Sequence, residues 1–332
     1  MIYHYASWSF GVQPASSFLG RVGIYGVAIF YILSGQTLSY VYSAKLQPYS
    51  ASLWDFYKKR VYRIFPLLWL ATFISILLSK HVPNGLDIFL NITGLFGLVK
   101  WDVYFATGAW SIGNELFFYL TFPLLIFFSK KSRWMFWLIG TLTIATSYYF
   151  AFYRLHSDQQ LSSQWHVYTN PLNQLIFFIG GMVIGRFVEP RSESAVKCLF
   201  SGILGLAILI FLPIQGNAIE LVTGPNRFVL AASCFLLCYS FFGITKAISL
   251  VNTPLALLGQ ASYSLYLLHP IVYAVINGIS KLIARTTFDH SLTLIFILSC
   301  LFSLFLSYLS HRYFEQFFIM LSHRRIRRFE AG

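Results

Sequence analysis

Nine stretches of mostly apolar residues, each near the roughly 20 residues that a helix needs to cross a bilayer, follow one another along the chain. They fall at about 22–44, 63–79, 108–129, 134–153, 171–188, 198–214, 226–245, 259–284 and 291–310. Backbone amides in lipid must be paired within the protein, so each stretch is predicted to be a helix. We therefore expect an all-α fold, a polytopic transmembrane helical bundle of nine or ten spans.

The composition supports a membrane protein and excludes a soluble globule. Of the 332 residues, 57% are hydrophobic and only 11% are charged, whereas soluble domains average about 25% charged residues. No internal repeat, linker or soluble domain interrupts the pattern. The chain, residues 1–332, is predicted to form a single integral-membrane domain.

Most of the 24 basic residues fall on one side if the stretch at 22–44 runs from outside to inside. That side collects the basic residues within 45–63, 130–133, 186–197, 246 and 312–328. The positive-inside rule then predicts a cell-membrane protein with a cytoplasmic C-terminus. Anionic lipid accounts for the net charge of +13, so no nucleic-acid partner is predicted. The basic, aromatic tail at about 311–332 is expected to lie on the inner leaflet.

Two further segments require separate interpretation. The run from Asp87 to Lys100 is apolar but short for a span. Counting it as a span would also move the basic cluster at 130–133 to the outside. It is therefore interpreted as interfacial or re-entrant. The first residues, MIYHYASWSFG, lack the features of a signal peptide. They resemble the last turn of a helix that begins before Met1, although a short native tail packed on the bundle is the alternative.

Glu115 is the only ionisable residue in the apolar run 108–128. A carboxylate at the centre of a bilayer costs about 2.5–3.5 kcal/mol on insertion scales, and such residues usually face a cavity and mark function. The alternative is a structural carboxylate that pairs with an arginine or with Asn114. Glu115 is the first candidate site residue.

Histidines and arginines supply the remaining candidate chemistry. His269 lies within an apolar span, where it is either a hydrogen-bonded core residue or a substrate contact. Arg60 and Arg63 lie one helical turn apart, next to Lys59, and guanidinium groups bind phosphate bidentately. These three basic residues form either a phosphate site or plain topology determinants. The four cysteines lack companion ligands, so no metal site and no disulfide is predicted.

Five motifs, in this order and at this spacing, resemble the membrane acyltransferase 3 family over essentially the whole chain. His4 precedes the motifs, which occupy residues 23–38, 56–69, 110–125, 258–272 and 311–317. The chain departs from the family pattern where Leu116 replaces a second acidic residue, and where Gln316 and Phe317 follow Glu315. A family arginine eleven positions before the histidine would precede Met1.

The resemblance implies an enzyme that transfers an acyl group, most often acetyl, from acyl-CoA to a carbohydrate hydroxyl. It implies that His4 is the general base, a role that suits an imidazole, and that Glu115 either orients His4 or binds sugar hydroxyls. Trp110 and Ser111 are expected to stack on the sugar and donate a hydrogen bond to it.

The expected acceptor site also includes Asn114, Tyr263 and His269, and the expected donor site is Lys59, Arg60 and Arg63. Acyl-CoA is then a co-substrate, no tightly bound cofactor is expected, and membrane lipid surrounds the protein. A transporter or flippase for a glycolipid remains the alternative, because intramembrane glutamate and histidine also mark transport pathways.

Overall fold

The computed structural model describes residues 1–79, 82–244, 249–284 and 291–323, with backbone alone at 249–251 and 284, and every regular element in these ranges is helical. The prediction of an all-α fold is confirmed. The α-helices are α1 (Ile2–Phe10), α2 (Phe18–Tyr42), α3 (Ser50–Ser79), α4 (Gly85–Thr93), α5 (Phe96–Val99), α6 (Trp110–Lys131), α7 (Arg133–Tyr149), α8 (Trp165–Tyr168), α9 (Pro171–Phe187), α10 (Ala195–Phe211), α11 (Gly224–Gly243), α12 (Ser249–Gln260), α13 (Ser262–Ala284), α14 (Leu292–Leu309) and α15 (Gln316–His323).

Seven of these helical segments are long and apolar enough to cross a membrane. The count reaches eight if Leu161–Tyr168 and Pro171–Phe187, which meet at 64°, form one broken span. All nine apolar stretches contain a helix, but α10, with 17 residues, falls short of the length required. Nine or ten spans were expected, and the described residues give seven or eight by length and composition.

The segment from Asp87 to Lys100 forms no span. The left-handed backbone of Gly94, φ +75°, separates α4 from α5 there. Nine and four residues are far too short to cross a bilayer. This agrees with the interfacial or re-entrant interpretation.

The third helix differs from the sequence expectation. The apolar stretch at about 63–79 is only the second part of it, because α3 begins at Ser50 and contains Pro66 in its interior. Proline removes one backbone hydrogen bond from a helix but does not always end it, because neighbouring helices support the chain. Consequently Arg60 and Arg63 stand within a continuous helix. We call the end of the bundle where α2 finishes and α3 begins the basic end.

The closest helix pair is α2 with α9, and glycines permit the approach. A Cβ on Gly35 would lie 2.1 Å from the carbonyl oxygen of Phe178, and one on Gly181 would lie 2.1 Å from that of Ile32. Small residues allow such contact in membranes, where hydrophobic burial does not drive helices together. Gly26, on the same helix, instead has open space around it.

Arg21 joins α2 to the end of α10. Its buried guanidinium donates to the carbonyl oxygens of Leu209 and Ile210, both at 3.0 Å, and of Leu212, at 2.5 Å. The last carbonyls of a helix have no partner within it and carry partial negative charge. This arginine is therefore a C-terminal cap.

The C-terminal segment continues the last long helix. A π-helical turn, Ser310–Glu315, joins α14 to α15, and α15 packs against α3. The predicted surface tail therefore begins as part of the bundle, because His311 and Glu315 are buried and α15 packs against α3, although Tyr313 is exposed. Residues 324–332 lie outside the described residues.

Candidate active site

A cavity of about 790 Å³ opens between α2, α3, α6 and α13. Its volume is in the range of small-molecule sites, roughly 300–1,000 Å³. Five of the predicted site residues line it, namely Arg60, Arg63, Ser111, Glu115 and Tyr263. The structure thus brings together residues that are up to 200 positions apart in the sequence.

Glu115 lies half-buried in the cavity wall, with two hydroxyl partners. Ser34 Oγ donates to Glu115 Oε1 at 3.2 Å, and the Tyr119 hydroxyl donates to the same oxygen. Tyr119 follows Glu115 by one helical turn, and Ser34 reaches it from α2. Hydroxyl donors stabilise a carboxylate away from bulk water while the second oxygen remains free for a ligand.

Arg60 is held by aromatic rings. Its guanidinium carbon lies 5.4 Å from the ring centres of Tyr42 and Phe56 and 5.5 Å from that of Tyr119. Its Nη2 donates to the Tyr42 hydroxyl at 3.1 Å, and its buried Nε has no hydrogen-bond partner in the part of the chain that the structure describes. Stacking stabilises the charge without using all the donors, so Arg60 retains capacity to bind an anion.

A second pocket, of about 420 Å³, lies at the basic end beside the first. Arg60 and Arg63 line both pockets and so form the boundary between them. Lys59 lines only the second pocket, where its ammonium pairs with Asp55 at 2.5 Å. A ligand that passes from one pocket to the other must pass the two arginines.

A hydroxyl pair forms part of another wall of the cavity. Ser111 Oγ and the Tyr266 hydroxyl are 2.6 Å apart, and both reach the carbonyl oxygen of Gly108, at 3.1 and 2.8 Å. The Tyr263 hydroxyl donates to the carbonyl oxygen of Ile64 at 2.7 Å, which ties α13 to α3. These contacts fix the side of the cavity that faces α13.

His4 and His269 lie next to this wall rather than in the cavity. Their ring centres are 5.3 Å apart, and the Tyr266 ring centre is 6.1 Å from that of His269. His4 is half-buried, while His269 is only 3% exposed. Among the described residues, no contact joins His4 to Glu115; the ring neighbours of His4 are Tyr3, Trp8 and His269.

Two predicted acceptor residues pack elsewhere. Trp110 lies among aromatic rings, 5.5 Å from Trp165 and 5.6 Å from Tyr168, and lines neither pocket. Trp165 Nε1 donates to the hydroxyl of Tyr104 in the loop before α6, and burial raises the pKa of Tyr104 so that this hydroxyl stays neutral. Asn114 is fully buried and donates to the Tyr31 hydroxyl at 3.2 Å. The alternative in which Asn114 pairs with Glu115 has no hydrogen bond to support it.

Sequence reasoning missed the hydroxyl and aromatic partners of the site. Tyr119 was detectable, because it follows Glu115 by four residues and shares its helix face. Trp8 was detectable in the same way, because it follows His4 by four residues on α1. Ser34 and Tyr42 were not, because both lie on α2 and contact residues of other helices, so their placement depends on how the helices pack.

This fold and cavity define a class of protein: a multi-pass helical membrane protein with a small-molecule site that contains a carboxylate, free arginine donors and an adjacent pair of imidazoles. The sequence model of the family described as "Acyltransferase domain" matches residues 1–312, nearly the whole chain. The chain belongs to this family, the one that the motifs resemble, and is an O-acyltransferase. The prediction from the motifs is confirmed.

A curated relative supports the same assignment. The exopolysaccharide production protein ExoZ of Rhizobium meliloti (strain 1021) is 26% identical over 272 residues, which cover 77% of this chain and 78% of the relative. No solved structure matches the chain.

Proposed function

We propose that the protein transfers an acyl group, most often acetyl, from acyl-CoA to a hydroxyl group of an exported carbohydrate. In this proposal the protein lies in the cell membrane with its basic end and its C-terminus in the cytoplasm. The name of the relative ExoZ supports an exopolysaccharide as the acceptor class. Acyl-CoA serves as a co-substrate, and no tightly bound cofactor takes part.

The observation that supports this proposal most strongly is the position of Arg60 and Arg63. They stand between a basic pocket at the end of the bundle and an inner cavity whose wall contacts the histidine pair. Acyl-CoA has phosphates at one end and a thioester at the other, joined by a long flexible arm. The two arginines suit the phosphate end of acyl-CoA, and the inner cavity suits its thioester end.

The donor side requires cations with free hydrogen-bond donors. Arg60 and Arg63 both line the two pockets, and the one hydrogen bond of Arg60 among the described residues is from its Nη2 to Tyr42, whereas Lys59 is already paired with Asp55. Guanidinium groups bind phosphate in a bidentate manner. In the proposal the two arginines hold phosphates of CoA, and Lys59 contributes charge beside them.

The chemical step requires a base near the acceptor hydroxyl. His4 takes the proton as the hydroxyl oxygen attacks the thioester carbonyl, the carbon–sulfur bond breaks, and the proton passes to the departing CoA thiolate. Ser111 and Tyr263 contact the substrates from the cavity wall. Glu115 binds acceptor hydroxyls through its free oxygen, while Trp110 and Asn114 support the first turn of α6.

Purified protein in proteoliposomes provides the test. With carbon-14-labelled acetyl-CoA and a carbohydrate acceptor, we expect free thiol and labelled carbohydrate to appear in equal amounts. The matched control is His4→Ala, whose loss of a general base should lower the rate by about 10²- to 10⁴-fold. Movement of a glycan across the bilayer without thioester cleavage would instead support the transporter alternative.

A further inference from the structure

The partner of His4 is the open chemical question at this site. A histidine that acts as a base needs a second group that orients the ring and stabilises its charged form; in serine hydrolases that group is an aspartate. Glu115 was expected to play this part, yet its hydrogen bonds go to Ser34 and Tyr119. The group that faces His4 is another imidazole, His269.

The tautomer of His269 follows from the hydrogen bond of its Nδ1. Its Nδ1 lies 3.0 Å from the carbonyl oxygen of Leu265, and a carbonyl only accepts, so Nδ1 bears the proton. The other nitrogen, Nε2, then has a lone pair. This atom is buried and has no hydrogen-bond partner among the described residues, and such an orphaned buried acceptor is uncommon.

Among the described residues the two rings form no hydrogen bond as they stand, but they are close enough for one after a small rotation of the His4 ring. Two imidazoles joined by a hydrogen bond of about 2.9 Å between nitrogens have ring centres close to the 5.3 Å found for His4 and His269. His4 is the more exposed of the two and can meet an acceptor, whereas His269 cannot. Tyr5 ties α1 to α13, because its hydroxyl donates to the backbone carbonyl oxygen of His269 at 2.8 Å.

We propose that His269 is the positioning residue for His4: its Nε2 accepts a hydrogen bond from one ring nitrogen of His4, so that the other takes the proton of the acceptor hydroxyl. This inference rests on the proposed acyl transfer. The hydroxyl proton moves to His4, the new carbon–oxygen bond replaces the carbon–sulfur bond, and the proton leaves on the CoA thiol. His269 keeps its own proton throughout.

Trp8 completes the arrangement by supplying the stabilisation that a carboxylate would give. Its ring stacks against both imidazoles, at 5.2 Å from His4 and 6.2 Å from His269. The face of an indole attracts a cation, so Trp8 stabilises the imidazolium that forms on His4.

The titratable groups around the pair, among the described residues, include no carboxylate. They are Tyr3, Tyr5 and the amino group of Met1 on α1, Tyr266 and Tyr273 on α13, and Cys300 on α14. The contact of α2 with α1 is made by Gly23 against the Tyr3 ring. The pair therefore relies on Trp8 and on the proposed hydrogen bond between its two rings.

Two substitutions at His269 separate the roles of its nitrogens. His269→Asn keeps a donor for the Leu265 carbonyl and removes Nε2. We expect its turnover to fall by roughly 10²-fold or more. Its KM for acetyl-CoA and its melting temperature should not change. His269→Gln places an amide near Nε2 and should recover part of that loss. The control, His166→Asn, changes an exposed histidine that stacks on Trp101 and should leave the rate unchanged.

A double-mutant cycle tests whether His269 acts through His4. His4→Ala combined with His269→Asn should be no slower than His4→Ala alone, because residues that work as a unit are strongly non-additive. Losses that multiply, or a His269→Asn enzyme within threefold of wild type, would overturn the proposal. If the wild-type protein transfers no acetyl group, the proposed function fails and this inference fails with it. If the wild-type protein is active and His269→Asn leaves its rate unchanged, this inference alone is rejected.

Trp8 gives an independent test, since its side chain is 39% exposed and can be replaced without opening the core. We expect Trp8→Leu to lower turnover roughly three- to thirtyfold and Trp8→Phe to lower it less. Loss of imidazolium stabilisation should also move the acid limb of the kcat/KM profile to lower pH. An acid limb at the wild-type position in Trp8→Leu would contradict the role given to the ring.

Discussion

At the scale of single residues, two carboxylates show how environment divides function from structure. Glu115 lines the cavity and has one oxygen free of the hydroxyls that bind it. Glu315 is 3% exposed and lines neither pocket. Ser264 Oγ donates to its Oε1, and His311 Nδ1 lies 3.3 Å from its Oε2. The closing motif of the chain therefore ties α13 to the π-helical turn and lies outside the cavity.

We predict opposite effects for the same change at these two positions. Glu115→Gln keeps its shape and its hydroxyl partners but loses charge, so turnover should fall at least tenfold with little change in melting temperature. Glu315→Gln should lower the melting temperature, because a buried hydrogen bond to a charged group contributes about 1.5–3 kcal/mol. Acetyl transfer and thermal unfolding in detergent measure both. A Glu115→Gln enzyme with a normal rate and a large loss of stability would show that this carboxylate is structural.

At the scale of helices, contacts depend on where a backbone can approach another backbone. The axes of α2 and α9 come together because Gly35 and Gly181 present no side chain at the contact. This packing places Ser34, next to Gly35, where it reaches Glu115 on α6. A shift of α2 would therefore disturb the cavity as well as the bundle.

Two glycines of α2 allow a matched comparison. Gly35→Ala would place a Cβ 2.1 Å from a carbonyl oxygen of α9, so the helices must separate, and overpacking of this kind costs typically 1–3 kcal/mol. Gly26→Ala meets nothing within 4 Å and should be neutral or stabilising by up to about 1 kcal/mol. Melting temperatures of the two variants provide the measurement. Equal effects would mean that the α2–α9 contact does not limit stability.

At the scale of the whole molecule, the site joins one end of the bundle to its interior. The basic pocket, the two arginines and the inner cavity follow one another, and the histidine pair lies beside the cavity wall at Tyr266. The proposed function, with a donor on one side of the membrane and an acceptor on the other, requires such a passage.

The donor end of this passage can be tested with charge-neutral variants. Replacing Arg60 and Arg63 with Gln should raise the KM for acetyl-CoA at least tenfold, since hydrogen bonds to ions contribute about 1.5–3 kcal/mol each, and should lower turnover at saturation much less. Lys58→Gln is the control, because it removes a charge from the same helix but lines neither pocket. An unaltered KM in correctly oriented protein, together with mixed insertion, would show that the arginines only set topology.

The sequence by itself determined the helical membrane class, the family and five of the residues that line the cavity. Apolar length and charge distribution are local properties, and Glu115 and Arg60 are conspicuous because charge is costly in lipid. Only the tertiary structure decided which of these groups meet. It gave Glu115 hydroxyl partners on α2 and α6, placed His4 against His269 and Trp8, and packed Trp110 and Asn114 away from the cavity. Helices that are apolar on nearly every side carry no strong signal for which faces pair, and this choice depends on close packing between residues far apart in the chain.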